Sequence, residues 1–236
     1  MPPAAPPRVL AVLGMHRSGT SWLAGSLESL GVELGEVSTS DPHNRRGNRE
    51  SPELMALHDA VLRANDGSWK RPPRRAVWDA SQSAALAAHV ARMDAAYALW
   101  GFKDPRALLL LDEWLRQVPR LERVGIYRHP RAVHRSLAAR DARFTPRRAV
   151  RLWRAYVERL VAEHRRAPFP ILAFDVGPDE LDAQLRAVAG LLHLPVAEGA
   201  TFYDPELVHQ AGAARESVPW SCRRLMAYLD AERLRP

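Results

Sequence analysis

Apolar and polar positions fall into two alternating kinds of segment. Residues 8–14 (RVLAVLG) read as a short strand around an unbroken apolar run at 9–13, the pattern of a strand buried on both faces. A glycine-bearing turn follows at residues 15–19. Residues 20–30 then carry Trp22, Leu23, Leu27 and Leu30 at helical spacing, with Gly31 as the stop. Residues 32–50 are polar and turn-rich and read as a loop. Ser51 reads as a helix cap, Pro52 as its first position, and Leu54, Leu57, Val61 and Leu62 as its buried stripe. A second loop spans residues 65–73. Further helices are expected at 81–97, 106–118, 130–139, 146–165, 179–192 and from 221, and further strands at 98–102, 121–127 and 170–174. Residues 195–219 read as irregular. Strands alternating with helices predict an α/β fold, a central parallel sheet covered on both faces.

Composition narrows the class. A chain of 236 residues, 47% hydrophobic, suits one globular domain with a real core. Residues 1–7, rich in Pro and Ala, are expected to form a flexible lead. They lack the basic and long apolar regions of a signal peptide, and the apolar run at 9–13 is too short to span a bilayer. A cytoplasmic protein without a membrane span is therefore expected. Cys222 is the single cysteine, which excludes an intrachain disulfide and leaves a Cys-based zinc site unsupported. The formal charge of +7 favours anionic partners, although an arginine bias can also follow genome composition. Of 34 basic residues only Lys70 and Lys103 are lysines. In such a chain Lys103 suggests chemistry that needs a compact point charge.

The first candidate for chemistry is Gly14-Met-His16-Arg17-Ser18-Gly19-Thr20-Ser21, between a strand and a helix. Its glycines have the spacing of a phosphate-binding loop, where backbone N–H groups and the helix dipole hold an anion. Thr20 stands where a nucleoside-triphosphate loop has its lysine, which argues against a kinase or ATPase. Arg17, inside the loop, can clamp a shorter anion. The segment resembles the 5′-phosphosulfate loop of sulfotransferases that use 3′-phosphoadenosine 5′-phosphosulfate (PAPS). Its arginine before Ser-Gly-Thr is similar to the loop of tyrosylprotein and many bacterial sulfotransferases. The resemblance implies that His16, Arg17, Ser18, Gly19, Thr20 and Ser21 bind this nucleotide, and that the fold is a three-layer P-loop NTPase-like one.

Two further motifs extend the resemblance over most of residues 9–175. Arg128 ends a strand and Ser136 lies about two turns along the next helix. Alone, this could be a basic surface helix; the family has an arginine and a serine eight positions apart that bind the 3′-phosphate. Gly101-Phe-Lys103-Asp104-Pro-Arg106 resembles the family's Lys-Asp-Pro segment, which implies that Lys103 stabilises charge on the sulfuryl group and leaving phosphate. Asp104 and Arg106 read either as part of that site or as a mutual pair and helix cap. Asn44-Arg-Arg-Gly47-Asn-Arg-Glu50 is similar to a bacterial segment whose glutamate is the proposed base. Glu50 is the candidate base; the other reading is a carboxylate favouring a helix dipole. His16, His43 and His58 are reserves. Residues 202–207 resemble a late family segment, but its usual basic residues are absent, and His209 or Arg215 are the substitutes available.

The sequence reading is therefore a PAPS-dependent sulfotransferase that leaves 3′,5′-bisphosphoadenosine (PAP). Glu50, Lys103 and Arg17 are catalytic, no metal is needed, and no nucleic acid is a partner. The acceptor is a small molecule, carbohydrate or natural product. Its pocket is expected from residues 32–50, 66–80 and 195–219, with Trp69, Trp78 and Trp220 either stacking a ring or packing. The rivals are a nucleotide-dependent phosphotransferase and a non-catalytic polyanion binder.

Overall fold

The computed structural model describes residues 6–40, 47–195 and 216–235. Within these, four strands form one parallel sheet: β1 (Arg8–Leu13), β2 (Leu99–Lys103), β3 (Glu122–Tyr127) and β4 (Ile171–Ala173). Their order is β2-β1-β3-β4, with Val12 level with Lys103 across one pairing and Tyr127 level with Ala173 across another. The chain therefore passes from one side of β1 to the other between β2 and β3. Such a reversal opens a crevice at the carboxyl ends of the strands.

Helices cover both faces. Leu10 and Val12 of β1 pack with α1 (Thr20–Ser29) and α7 (Pro178–Leu191) on one side. Val9, Ala11 and Leu13 face the other way, onto α2 (Pro52–Ala64), α3 (Ala80–Ala96), α4 (Leu111–Gln117), α5 (Pro130–Ala138), α6 (Pro146–Arg166) and α8 (Arg223–Glu232). Alternate residues of one strand thus serve two cores, which is why β1 reads as a continuous apolar run. The expected three-layer α/β fold is the one observed.

The structure adjusts several expectations. The expected helix at 106–118 is a 3₁₀ segment, Pro105–Leu109, followed by α4. Asp104 caps the 3₁₀ turn by accepting from the Arg106 N–H, and Leu110 leaves helical geometry with φ −128° and ψ 13°. Residues 105–111 are buried all round, so no amphipathic period marks the break. Ser51 precedes α2 but makes no side-chain cap. In α2 His58 is buried where Leu57 was expected, and Leu57 is only partly covered. Gly31, at φ 90°, follows α1 as read. Residues 1–5, His43, Asn44, residues 202–207, His209 and Arg215 lie outside the described residues. No helix among the described residues is long and apolar enough to cross a membrane.

Candidate active site

The loop between β1 and α1 is shaped by close approach. A side chain at Gly14 would come within 2.5 Å of the Ile126 carbonyl oxygen on β3. At Gly19, which caps α1 with φ 89°, it would come within 2.3 Å of the Phe174 ring. Arg17 has φ 69°, a left-handed backbone that costs a non-glycine residue of order 1–2 kcal/mol and recurs at functional loops. The first-turn amides of α1 have no carbonyl one turn back to bond, so they and the dipole favour an anion there. The Ser18 amide is used differently, donating to Met15 O at 3.2 Å within the turn. Ser21 donates its hydroxyl to Asn48 O at 3.1 Å and ties the loop of residues 47–50 to α1.

The second motif meets the first. Arg17 Nε donates to Ser136 Oγ at 2.7 Å, joining the loop to α5. Arg128 leaves the end of β3 and donates from Nε to Asp175 Oδ1 at 2.8 Å, while the His129 N–H bonds Oδ2 of the same carboxylate at 2.7 Å. Its guanidinium lies 5.2 Å from the Phe174 ring centre, and Nη1 reaches Arg17 O at 3.4 Å. Arg128, Arg17 and Ser136 thus form one continuous set, with Asp175 as a partner the sequence reading did not assign.

Lys103, at the end of β2, is only 2% exposed. Its Nζ donates to Glu50 Oε1 at 2.6 Å. Burial pulls the Lys103 ammonium below its ordinary value, against the opposing pull of Glu50. The other carboxylate oxygen of Glu50 accepts from Arg106 Nη1 at 3.2 Å. Arg106 also holds Asp104 Oδ1 through Nη1 at 2.8 Å and Asp59 Oδ1 through Nε at 2.7 Å. Behind it His58 Nδ1 meets Asp104 Oδ2 at 2.8 Å, and Trp114 Nε1 donates to His58 Nε2 at 3.0 Å. An indole can only donate, so His58 Nε2 accepts and Nδ1 carries the proton given to Asp104. Burial opposes the charge on Asp104, but the His58 bond and Arg106 outweigh it and hold the carboxyl well below the usual range. Asp104 and Arg106 are therefore both a pair and a cap, as one reading had it, and Arg106 also joins the site.

Several of these groups line a cavity of about 460 Å³ at the carboxyl edge of the sheet. His16, Arg17, Thr20, Ser21, Glu50, Lys103 and Arg106 all face it. The His16 ring packs 4.4 Å from Trp69, its Nε2 is buried without a hydrogen bond, and burial pushes its pKa well below the ordinary value. His58 lies one layer behind, fully buried, and does not reach the cavity. Arg128 and Ser136 also lie off it, behind Arg17. The loops at 32–50 and 66–80 contribute Asn48, Glu50, Trp69 and Lys70 to the cavity, while most of residues 195–219 lies outside the described residues. A stretch that sequence reasoning passed over, residues 137–144, supplies Leu137, Arg140, Asp141, Arg143 and Phe144. Lys70 carried a legible signal, being the only other lysine. Trp78 instead packs edge-on against His58, and Trp220 is 82% exposed.

No protein-family model and no curated protein matches the chain. Solved structures do. The sulfotransferase domain of the olefin synthase of Synechococcus PCC 7002 superposes with a TM-score of 0.57 at 16% identity, over 98% of this chain and 96% of that one. The chain has the sulfotransferase fold. The sulfotransferase domain from the curacin biosynthetic pathway matches with a TM-score of 0.57 at 14% identity, over 98% of this chain and 99% of that one. A sulfotransferase from Mycobacterium avium matches with a TM-score of 0.57 at 15% identity, over 97% of this chain and 77% of its own. In this sulfotransferase fold the carboxyl edge of the sheet carries the cavity just described.

Proposed function

We propose that the chain transfers a sulfuryl group from PAPS to a hydroxyl of a small-molecule acceptor by direct in-line displacement. The observation that carries this reading is one cavity holding both a phosphate-type loop without a kinase lysine and the buried Glu50–Lys103 pair. The loop glycines let Ile126 and Phe174 close against the loop and fix its shape, Arg17 and Lys103 bring positive charge to the cavity, and the α1 dipole adds to both. These features suit a short anion such as the phosphosulfate of the donor. Arg128 and Ser136 are the residues proposed to hold its 3′-phosphate, through the donor edges that Asp175 and Arg17 leave open.

In the proposed step Glu50 Oε1 accepts the proton of the acceptor hydroxyl. The acceptor oxygen forms its bond to sulfur as the bond from sulfur to the bridging oxygen breaks. That electron pair goes to the departing phosphate of PAP, where Lys103 and Arg17 stabilise it. Lys103 and Glu50 are in contact before reaction, so the ammonium must pass from the carboxylate to the donor as the site fills. Arg106 keeps its hold on Glu50 Oε2 throughout.

Calorimetry with PAP, ATP and AMP tests the donor. The reading expects PAP to bind far more tightly than AMP, and tight ATP binding indifferent to a 3′-phosphate would point instead to a phosphotransferase. Lys103→Ala is expected to lower turnover by at least about 100-fold and to weaken PAP binding far less. A variant that keeps turnover would remove Lys103 from the mechanism.

A further inference from the structure

The basic side chains of the cavity fall into two groups. Arg17, Lys103 and Arg106 sit on Ser136 and Glu50 and belong to the step already described. The second group comes from the turn at Trp69-Lys70 and from residues 140–144 beyond α5. There Lys70 Nζ lies 3.4 Å from Asp141 Oδ2, and Arg143 Nε lies 2.8 Å from Oδ1 of the same carboxylate. Arg140 lines the same wall. Two cations that share one carboxylate keep a net positive charge, and a concave, partly apolar wall concentrates its field.

The wall is built to persist. Tyr156 donates its hydroxyl to Trp69 O at 3.2 Å, and Ser68 and Arg71 exchange backbone hydrogen bonds at 3.0 Å across the turn. Trp69 and Phe144 lie nearly parallel, 6.1 Å apart, with the Lys70 ammonium 5.2 and 5.5 Å from their ring centres. Met55 and Leu137 add apolar surface. Both lysines of this arginine-rich chain therefore face one cavity, Lys103 beside the base and Lys70 at the aromatic wall. An ammonium is a small, rotatable donor, suited to an anion that arrives beside rings rather than to a fixed fork.

We propose that this wall is an anion subsite for the acceptor, and that the acceptor is a hydroxylated compound with an apolar or ring-bearing body that itself carries a carboxylate or similar anion. The proposal rests on the sulfuryl-transfer reading for the word acceptor; the subsite stands on its own geometry. The same cations could instead serve the nucleotide, and the experiment separates the two.

The protein is titrated with 4-hydroxyphenylacetate and with its neutral amide, with and without saturating PAP. The acid is expected to bind roughly five- to tenfold more tightly than the amide, the scale of one partly screened ion pair, and added salt is expected to erase the difference. Lys70→Met and Arg143→Gln should abolish the preference and leave PAP affinity within about twofold. Asp141→Asn removes the competing carboxylate and should strengthen binding of the acid, an opposite change that a damaged fold cannot imitate. Equal binding of acid and amide, binding of neither, or variants that weaken PAP but not the acid would each overturn the subsite. If the wild-type protein fails to bind PAP while it still prefers the acid, the donor reading falls and the subsite survives.

Discussion

Glu50 is gripped at both oxygens, one by Lys103 and the other by Arg106, and Arg106 in turn holds Asp104 and Asp59. Such buried pairing adds little net stability while complete, because desolvation offsets attraction; removing one member strands the rest. Arg106→Leu is therefore expected to cost about 3–5 kcal/mol, measured as a lower urea midpoint at unchanged slope. Arg106→Lys keeps a charge but loses the fork that reaches three carboxylates, and should fall between. An unchanged midpoint for the leucine variant would mean that the network is not coupled as its distances imply. At this scale the sequence was half legible. Asp104 and Arg106 are neighbours, so their pairing could be read directly. Glu50 and Asp59 lie 56 and 47 positions from Arg106, a separation that no local pattern bridges.

Elements were read well where a stripe or a stop residue marks them, and less well at their caps. Asp79 and Gln82 form a reciprocal capping box at the start of α3, which the expected start at residue 81 fell just short of. Ser51 has the right residue type before α2 and makes no such bond. Two substitutions separate residue type from function. Asp79→Ala is expected to lower Tm by roughly 2–4 °C, whereas Ser51→Ala should leave it within about 1–2 °C. Calorimetric melts of the two variants beside the parent check both. The failure at 105–111 has a different cause. A segment buried on every side loses the periodicity that distinguishes helix, 3₁₀ turn and strand, and only the Asp104 cap and the packing beneath the site decide it.

For the whole molecule the buried titratable groups predict two stages of acid destabilisation. His16 is held well below its ordinary 6.5 by burial and the nearby Arg106 charge, and burial also lowers His89, His129 and His164. Unfolded histidines take up protons below pH 6.5 that the folded chain resists, so stability falls from there downward. The carboxylates follow. Glu113 is lowered from 4.5 to about 2, chiefly by its bond from Arg116, and Asp104 is also depressed, so their contribution is complete above about 4.5 and lost toward about 2. Urea midpoints across this range should fall in both windows. His16→Asn, which cannot titrate, should make the upper slope shallower whatever its own stability. An unchanged upper slope would show that His16 is not held neutral.

By itself the sequence determined the α/β alternation, the glycine-shaped loop after β1, the absence of a kinase lysine from it, and the separate candidates Arg17, Glu50, Lys103, Arg128 and Ser136. Each of these is local: a run of apolar residues, a glycine spacing, or a charged residue just past a strand. Tertiary structure alone decided which candidates meet. It set Lys103 on Glu50, Arg17 on Ser136 and Arg128 on Asp175, and brought Trp69, Lys70 and residues 140–144 into one wall. The physical reason is the parallel sheet. Its strands all end at one edge, so residues far apart in the chain converge there, and where their side chains pair is set by packing across the crevice rather than by neighbours in sequence.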